Sequence, residues 1–107
     1  MYKHYEQALK IIKNELAKKL GARLVSVYAF GSRVKGTDKS WSDFDLLIIV
    51  KNKEPKVEAQ IIDVIVTNEI KVGLSFAPVI KDYQAFQAEA KLHSPFYQNI
   101  KKEAIKI

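Results

Sequence analysis

The sequence predicts an α/β (α+β) fold, in which helices pack against a small mixed β-sheet. Three observations support this fold class. Apolar residues recur at three- and four-residue spacing over residues 2–20, apolar runs occupy 24–30 and 43–50, and turn-forming residues separate these segments. At 107 residues the chain is expected to form a single domain, residues 1–107.

The first half opens with an amphipathic helix, which Gly21 ends in a left-handed conformation. Its apolar positions are Tyr5, Ala8, Leu9, Ile12, Leu16 and Leu20. A buried strand over 24–30 then stops at Gly31. The polar stretch 32–42 predicts one short helix and a loop, before a second apolar strand over 43–50.

The second half is predicted as a helix, a strand and two further helices. A helix over 55–69 begins at a proline, although the β-branched segment 61–66 also suits a strand. A third strand is expected at 72–80, where a proline indicates a sheet edge or the end of the strand. The last two helices are expected at 82–91 and 94–105.

Composition excludes several classes of site. The chain has no cysteine and only two histidines, so disulfides and a cysteine nucleophile are excluded and a zinc site is disfavoured. No apolar run is long enough to span a bilayer and the first residues are charged, so we expect a cytoplasmic protein without a membrane partner. The sequence leaves homo-oligomerisation open.

The net charge of +6 favours a phosphate-bearing or polyanionic partner. A solvated face of helical lysines is the simpler explanation of the same charge. An RNA-binding domain is a third interpretation, and it rests on the charge alone, without a motif that joins aromatic and basic residues.

A phosphate-binding turn is predicted where the strand over 24–30 ends. Backbone N–H groups at a strand-to-helix transition bind an anion if no side chain stands in the way. Gly31 permits close approach, and the Ser32 hydroxyl can cap the helix or bond a phosphate oxygen.

Two carboxylates form the second candidate feature. Asp43 and Asp45 lie two residues apart at the head of a strand, so both side chains project from one face. Two like charges so placed need a cation, and Mg²⁺ normally takes one or two protein carboxylates plus substrate phosphates. Alternatively, Asp43 caps the loop and Asp45 pairs with Arg33, Lys35 or Lys39.

The segments GSRVKG and SDFDLLIIV resemble the signature of the DNA polymerase beta nucleotidyltransferase superfamily, in which Gly-Ser precedes Asp-x-Asp on the next strand. The short length and the ending SPFYQNIKKEAIKI resemble the minimal nucleotidyltransferases, which are often encoded beside a HEPN-domain protein. The resemblance implies Mg²⁺-dependent transfer of a nucleoside monophosphate from a nucleoside triphosphate, expected to be ATP, to an acceptor hydroxyl. It also suggests the antitoxin of a toxin–antitoxin pair.

The same resemblance implies residue roles. Gly31 and Ser32 would hold the triphosphate, and Arg33 would contact phosphate. Asp43 and Asp45 would ligate the metal and act as the catalytic residues.

One departure from the family concerns a third carboxylate, which active members place on a later strand. The predicted strand over 72–80 has Ser75 as its only polar side chain, and serine is neither a strong base nor an anionic ligand. Asp63 could replace it if 61–66 were a strand, or Glu69 or a partner's residue could complete the site. Otherwise the chain is a catalytically impaired nucleotide- or protein-binding module.

Overall fold

The computed structural model describes residues 3–31 and 44–107 of the chain. The predicted short helix and loop over 32–42, and the first residue of the predicted second strand, lie outside these ranges. The elements in chain order are helix α1 Lys3–Leu20, a 3₁₀ turn Gly21–Arg23, strands β1 Leu24–Phe30 and β2 Phe44–Val50, helix α2 Pro55–Val72, strand β3 Phe76–Asp82, helices α3 Tyr83–Lys91 and α4 Pro95–Glu103, and strand β4 Ile105–Lys106.

The strands form a mixed sheet in the order β3-β2-β1-β4. Strand β2 runs antiparallel to β1 and parallel to β3, whereas β4 pairs antiparallel with β1. Helices cover this sheet, so the predicted fold class is confirmed.

Helix α1 confirms the predicted apolar stripe. Its five positions from Ala8 to Leu20 are at most 7% exposed, and Tyr5 is half-buried against the same core. Gly21 has a φ of +56°, which confirms the left-handed residue at the end of the helix.

Strand β2 divides the core between the two faces of the sheet. Its side chains at 44, 46, 48 and 50 pack with α1 and α2, whereas Leu47 and Ile49 pack with Ile100 and the aromatic residues of α3 and α4. Successive strand residues point to opposite faces, so Asp45 belongs to the face that carries α3 and α4.

Helix α2 forms where the sequence also allowed a strand. Its buried positions include Val57, Ile61, Val64 and Ile65, which recur at helical spacing and face the core. The β-branched segment is therefore helical, because this stripe buries against α1 and the sheet, and the strand alternative is wrong.

The predicted start of the third strand is also wrong. Helix α2 continues to Val72 and ends at Gly73, whose φ of +70° is left-handed and whose N–H donates to the Glu69 carbonyl at 2.9 Å. Strand β3 therefore begins at Phe76. Pro78 lies inside β3 rather than at its end, and the predicted edge position of this strand is confirmed.

The chain end departs from the predicted helix over 94–105. Helix α4 ends at Glu103, and Ile105 and Lys106 pair with β1 instead. The N–H of Ile107 donates to the Val27 carbonyl at 2.9 Å, so pairing with an open strand edge outweighs helix continuation here.

Polar contacts join α1 to α2. Asn68 is 1% exposed, and its amide donates to the Glu15 carboxylate at 2.6 Å and to the Val64 carbonyl at 2.8 Å. Within the described residues, every buried side-chain nitrogen or oxygen has a hydrogen-bond partner. None of the helices in these ranges is long and apolar enough to cross a membrane.

Candidate active site

Gly31 and Asp45 lie in direct contact where β1 ends and β2 begins. Gly31 follows Phe30, which is paired with Asp45 across the antiparallel strands. A Cβ atom at Gly31 would lie 3.2 Å from Cγ of Asp45 and would overlap its Oδ2 atom. With a φ of +91°, Gly31 also has a backbone conformation that side chains disfavour. The bare glycine backbone therefore borders a carboxylate, while the phosphate-binding role of Gly31 and the metal-binding role of Asp45 stay predictions.

The position of Asp45 is set by the buried residue before it. Phe44 is 1% exposed and packs between Tyr5, with ring centroids 4.4 Å apart, and Phe76, with centroids 6.1 Å apart. Because strand side chains alternate, burial of Phe44 on one face directs Asp45 to the other. Asp45 itself is half-buried.

Strand β3 carries no carboxylate opposite Asp45. The parallel register pairs Asp45 with Ala77. Ser75, which the sequence placed within this strand, lies just before it, and its carbonyl accepts the Phe44 N–H at 2.9 Å. The departure from the family pattern therefore persists in the structure, with alanine at the paired position.

Asp63 does not replace the missing carboxylate, and Glu69 is engaged at the start of β3. Asp63 lies on α2, 68% exposed, and its Oδ2 is 3.0 Å from the Lys19 ammonium, so its proposed role in the site is wrong. The Glu69 carboxylate accepts the N–H of Phe76 at 2.8 Å, at the start of β3.

Asp82 is the carboxylate of β3, but it lies at the far end of the strand. Five residues separate it from Ala77, or about 16 Å along an extended chain. Its carboxylate caps α3, accepting N–H groups from Lys53 at 3.2 Å and from Gln84 at 3.0 Å. The hydrogen bond from the Lys53 N–H lowers the pKa of Asp82, and partial desolvation opposes this.

A pocket of about 310 Å³ lies away from this contact. It is lined by Lys51, Asn52, Asp82, Tyr83, Gln84 and Gln87. These residues follow the carboxyl ends of β2 and β3, whereas Asp45 lies near the start of β2. This pocket therefore does not mark the place where Gly31 meets Asp45.

Three predicted site residues, Ser32, Arg33 and Asp43, lie outside the described residues, and their roles stay predictions. The sequence reasoning missed Ala77 as the position facing Asp45, because it started the third strand four residues early. The available signal was Gly73, a glycine that follows a helical apolar stripe and commonly marks a helix end.

Comparisons with known proteins identify the family. Residues 9–107 match the model of the nucleotidyltransferase domain. No curated protein sequence matches the chain significantly.

Solved structures share the fold. A toxin-antitoxin crystal structure with AMP-PNP is 17% identical, covers 92% of this chain and 70% of that chain, and has a TM-score of 0.56. Two mutants of the toxin-antitoxin MntA-HpeT also match. The first is 17% identical, with 92% of this chain and 70% of that chain covered and a TM-score of 0.55. The second is 19% identical, with 92% of this chain and 69% of that chain covered and a TM-score of 0.54. These likenesses show a shared fold, and the extent of the family match shows that the chain belongs to the nucleotidyltransferase domain family.

Proposed function

We propose that the chain binds a nucleoside triphosphate, ATP by expectation, with Mg²⁺ where Gly31 meets Asp45. It would transfer the nucleoside monophosphate to an acceptor hydroxyl and release pyrophosphate. The observation that carries the proposal is the packing of the Gly31 backbone on the Asp45 carboxylate. A phosphate needs an approach free of side chains, and a metal needs an anionic oxygen. This single contact offers both.

The donor set fits Mg²⁺ only in combination with substrate. Among the described residues, no three His, Cys, Asp or Glu side chains are arranged to hold a metal. Mg²⁺ commonly binds through one or two carboxylates plus substrate phosphates, so Asp45 with Asp43 would suffice when a triphosphate is present. When bound, the ion would neutralise phosphate charge and help align the attacking and leaving oxygens. Ser32 and Arg33 would add phosphate contacts.

The residues of the chain can bind the phosphate and the metal, but the residue opposite Asp45 cannot activate the acceptor hydroxyl. Gly31 admits the phosphate, and Asp45 is held by the buried Phe44 beside it. Ala77, opposite Asp45, can neither accept the proton of an acceptor hydroxyl nor ligate a second ion. We therefore propose that the acceptor's own protein supplies the group that activates the hydroxyl.

The proposed acceptor is a HEPN-domain toxin, for which this chain would be the antitoxin. The toxin-antitoxin structures of the same fold support this, one of them with AMP-PNP and another with two aspartates, two positions apart, replaced by glutamate. That spacing is the spacing of Asp43 and Asp45.

A second candidate function follows from Ala77. Without a carboxylate facing Asp45, the chain could bind nucleotide or a protein partner without transferring the nucleotide. This module would use the same glycine turn and the same aspartates.

Incubation with Mg²⁺, α-labelled nucleoside triphosphates and the protein encoded by the neighbouring gene separates the two. We expect label on the neighbour with the native chain and with Asp63→Asn, an exposed control, but none with Asp45→Asn. Nucleotide binding that Asp45→Asn abolishes, without any label transfer, would leave only the module. Absence of nucleotide binding by the native chain would refute the transferase and the nucleotide-binding module, and would leave only a module that binds a protein partner.

A further inference from the structure

We propose that Glu69 is a positioning residue of this site, which holds the start of β3 in register beside Asp45. The proposal rests on the proposed nucleotide-binding function. Glu69 lies in the last turn of α2, where the exposed helix carbonyls disfavour a negative charge. A carboxylate at this position therefore needs a favourable partner, and the structure gives it one.

Glu69 fixes both ends of the turn between α2 and β3. Its backbone carbonyl accepts the N–H of Gly73 at 2.9 Å, which ends the helix. Its Oε2 atom accepts the N–H of Phe76 at 2.8 Å, which begins the strand. The three residues between the helix and the strand are thus held by one side chain and its own backbone.

The direction of the Phe76 N–H explains why a carboxylate is needed. The Ser75 carbonyl points toward β2, where it accepts the Phe44 N–H. Across a trans peptide the following N–H points the opposite way, so the Phe76 N–H faces the open edge of the sheet. Two residues further, the same edge has Pro78, which has no N–H. Glu69 and Pro78 therefore close the first two donor positions of this edge.

The held peptide sets the surroundings of Asp45. Phe76 is paired with Phe44, and Ala77 with Asp45, so the peptide that Glu69 holds lies one residue from the pair that contains the catalytic carboxylate. Loss of this hydrogen bond would free the Phe76 amide. It would also loosen the Ser75 carbonyl that accepts the Phe44 N–H. Metal ligation tolerates only small displacements, so such loosening would reduce Mg²⁺ and nucleotide affinity.

This geometry separates positioning from catalysis. The Glu69 carboxylate bonds an N–H on the outer side of β3, whereas Asp45 lies on β2, on the other side of that strand. A positioning role needs an acceptor oxygen at the right reach. A catalytic role as the missing third carboxylate would need a negative charge.

Three substitutions at Glu69 distinguish these roles. Glu69→Gln keeps an acceptor oxygen at the same reach without the charge, Glu69→Asp keeps the charge but is one methylene shorter, and Glu69→Ala loses both. The readouts are amide hydrogen exchange of Phe44 and Phe76 by NMR, calorimetric affinity for ATP with Mg²⁺, and label transfer. Asp63→Ala is the matched control on the same helix, because Asp63 is exposed and pairs with the surface residue Lys19.

We expect the Glu69→Gln variant to keep amide hydrogen exchange and label transfer near native levels. The Glu69→Asp and Glu69→Ala variants should expose the Phe76 amide to exchange and weaken ATP affinity about tenfold or more. The proposal is overturned if Gln abolishes transfer as Ala does, because charge would then be required. It is also overturned if Ala lowers stability without changing the ATP affinity of the folded protein. If the native chain binds no nucleotide, the proposed function fails, whereas the exchange of the two amides still tests whether Glu69 holds the strand.

Discussion

Replacement of Gly31 by alanine should remove nucleotide binding through a steric effect on Asp45. With a φ of +91°, an alanine would cost about 1–2 kcal/mol in backbone strain. Its Cβ atom would overlap Oδ2 of Asp45 and lie 3.2 Å from Cγ. Rotation of the carboxylate off its rotamer costs about 0.5–1.5 kcal/mol more. We therefore expect the free energy of unfolding to fall by about 1.5–3.5 kcal/mol.

The larger effect should be on the function of the displaced carboxylate. Because Asp45 is the proposed metal ligand, its displacement should weaken calorimetric affinity for Mg²⁺ and ATP by about tenfold to a hundredfold. Gly21→Ala is the matched control, because Gly21 has a φ of +56°, a Cβ there meets no atom within 4 Å, and it lies at the other end of β1 from Gly31. It should lose about 1–2 kcal/mol in urea unfolding, from strain alone, and keep native nucleotide affinity.

The two glycine variants also supply the refuting results. Equal nucleotide affinities for Gly31→Ala and Gly21→Ala would show that the contact with Asp45 plays no part in binding. In a double-mutant cycle, Gly31→Ala combined with Asp45→Ala should be less destabilised than the sum of the single variants, because the overlap is removed. Simple additivity would refute the steric explanation.

Three further outcomes are expected. Ala77→Asp should raise label transfer about tenfold or more, because it adds a carboxylate beside Asp45. Asp82→Asn should flatten the fall in unfolding free energy at acidic pH. The folded-state pKa of Asp82 lies below its ordinary value of 3.8, so its contribution is complete above that pH and is lost as the pH falls through the folded-state value. Asn68→Ala should lower the free energy of unfolding by about 1–3 kcal/mol, because the Glu15 carboxylate loses its buried donor.

Each of these outcomes has its own control. Ala59→Asp, on the exposed side of α2, adds the same charge without reaching the site and should leave transfer unchanged. An Asp82→Asn variant whose unfolding free energy falls at acidic pH with the same slope as that of the native chain would contradict the capping argument. Asn99→Ala, an exposed position on α4, should alter stability by less than about 0.5 kcal/mol. If Asn68→Ala lowered the free energy of unfolding no more than Asn99→Ala does, the hydrogen bond between Asn68 and Glu15 would contribute nothing to stability.

The local signals in the sequence were sufficient for most of the elements. Helix α1 and the helical stripe of α2 follow from apolar spacing within a few turns, and β1 follows from a β-branched run that ends at Gly31. The Gly31 turn and the pair Asp43 and Asp45 were each recognisable as candidate features, because each is defined by residues within two positions of one another in the chain. The wrong boundaries are those that depend on residues distant in the chain. Val72 was predicted to begin a strand but belongs to α2, and Ile105 was predicted to end a helix but pairs with β1.

By itself, the sequence determined the family of the chain, the helical periodicities and the residue types of the candidate site. Only the tertiary structure decided that the Gly31 backbone rests on Asp45, that Ala77 occupies the paired position on β3, and that Asp63 faces solvent. The physical reason is how far apart along the chain the interacting residues lie. A helical stripe or a turn is set by neighbours a few residues apart, whereas the register between strands depends on cross-strand hydrogen bonds and packing summed over residues some thirty positions apart.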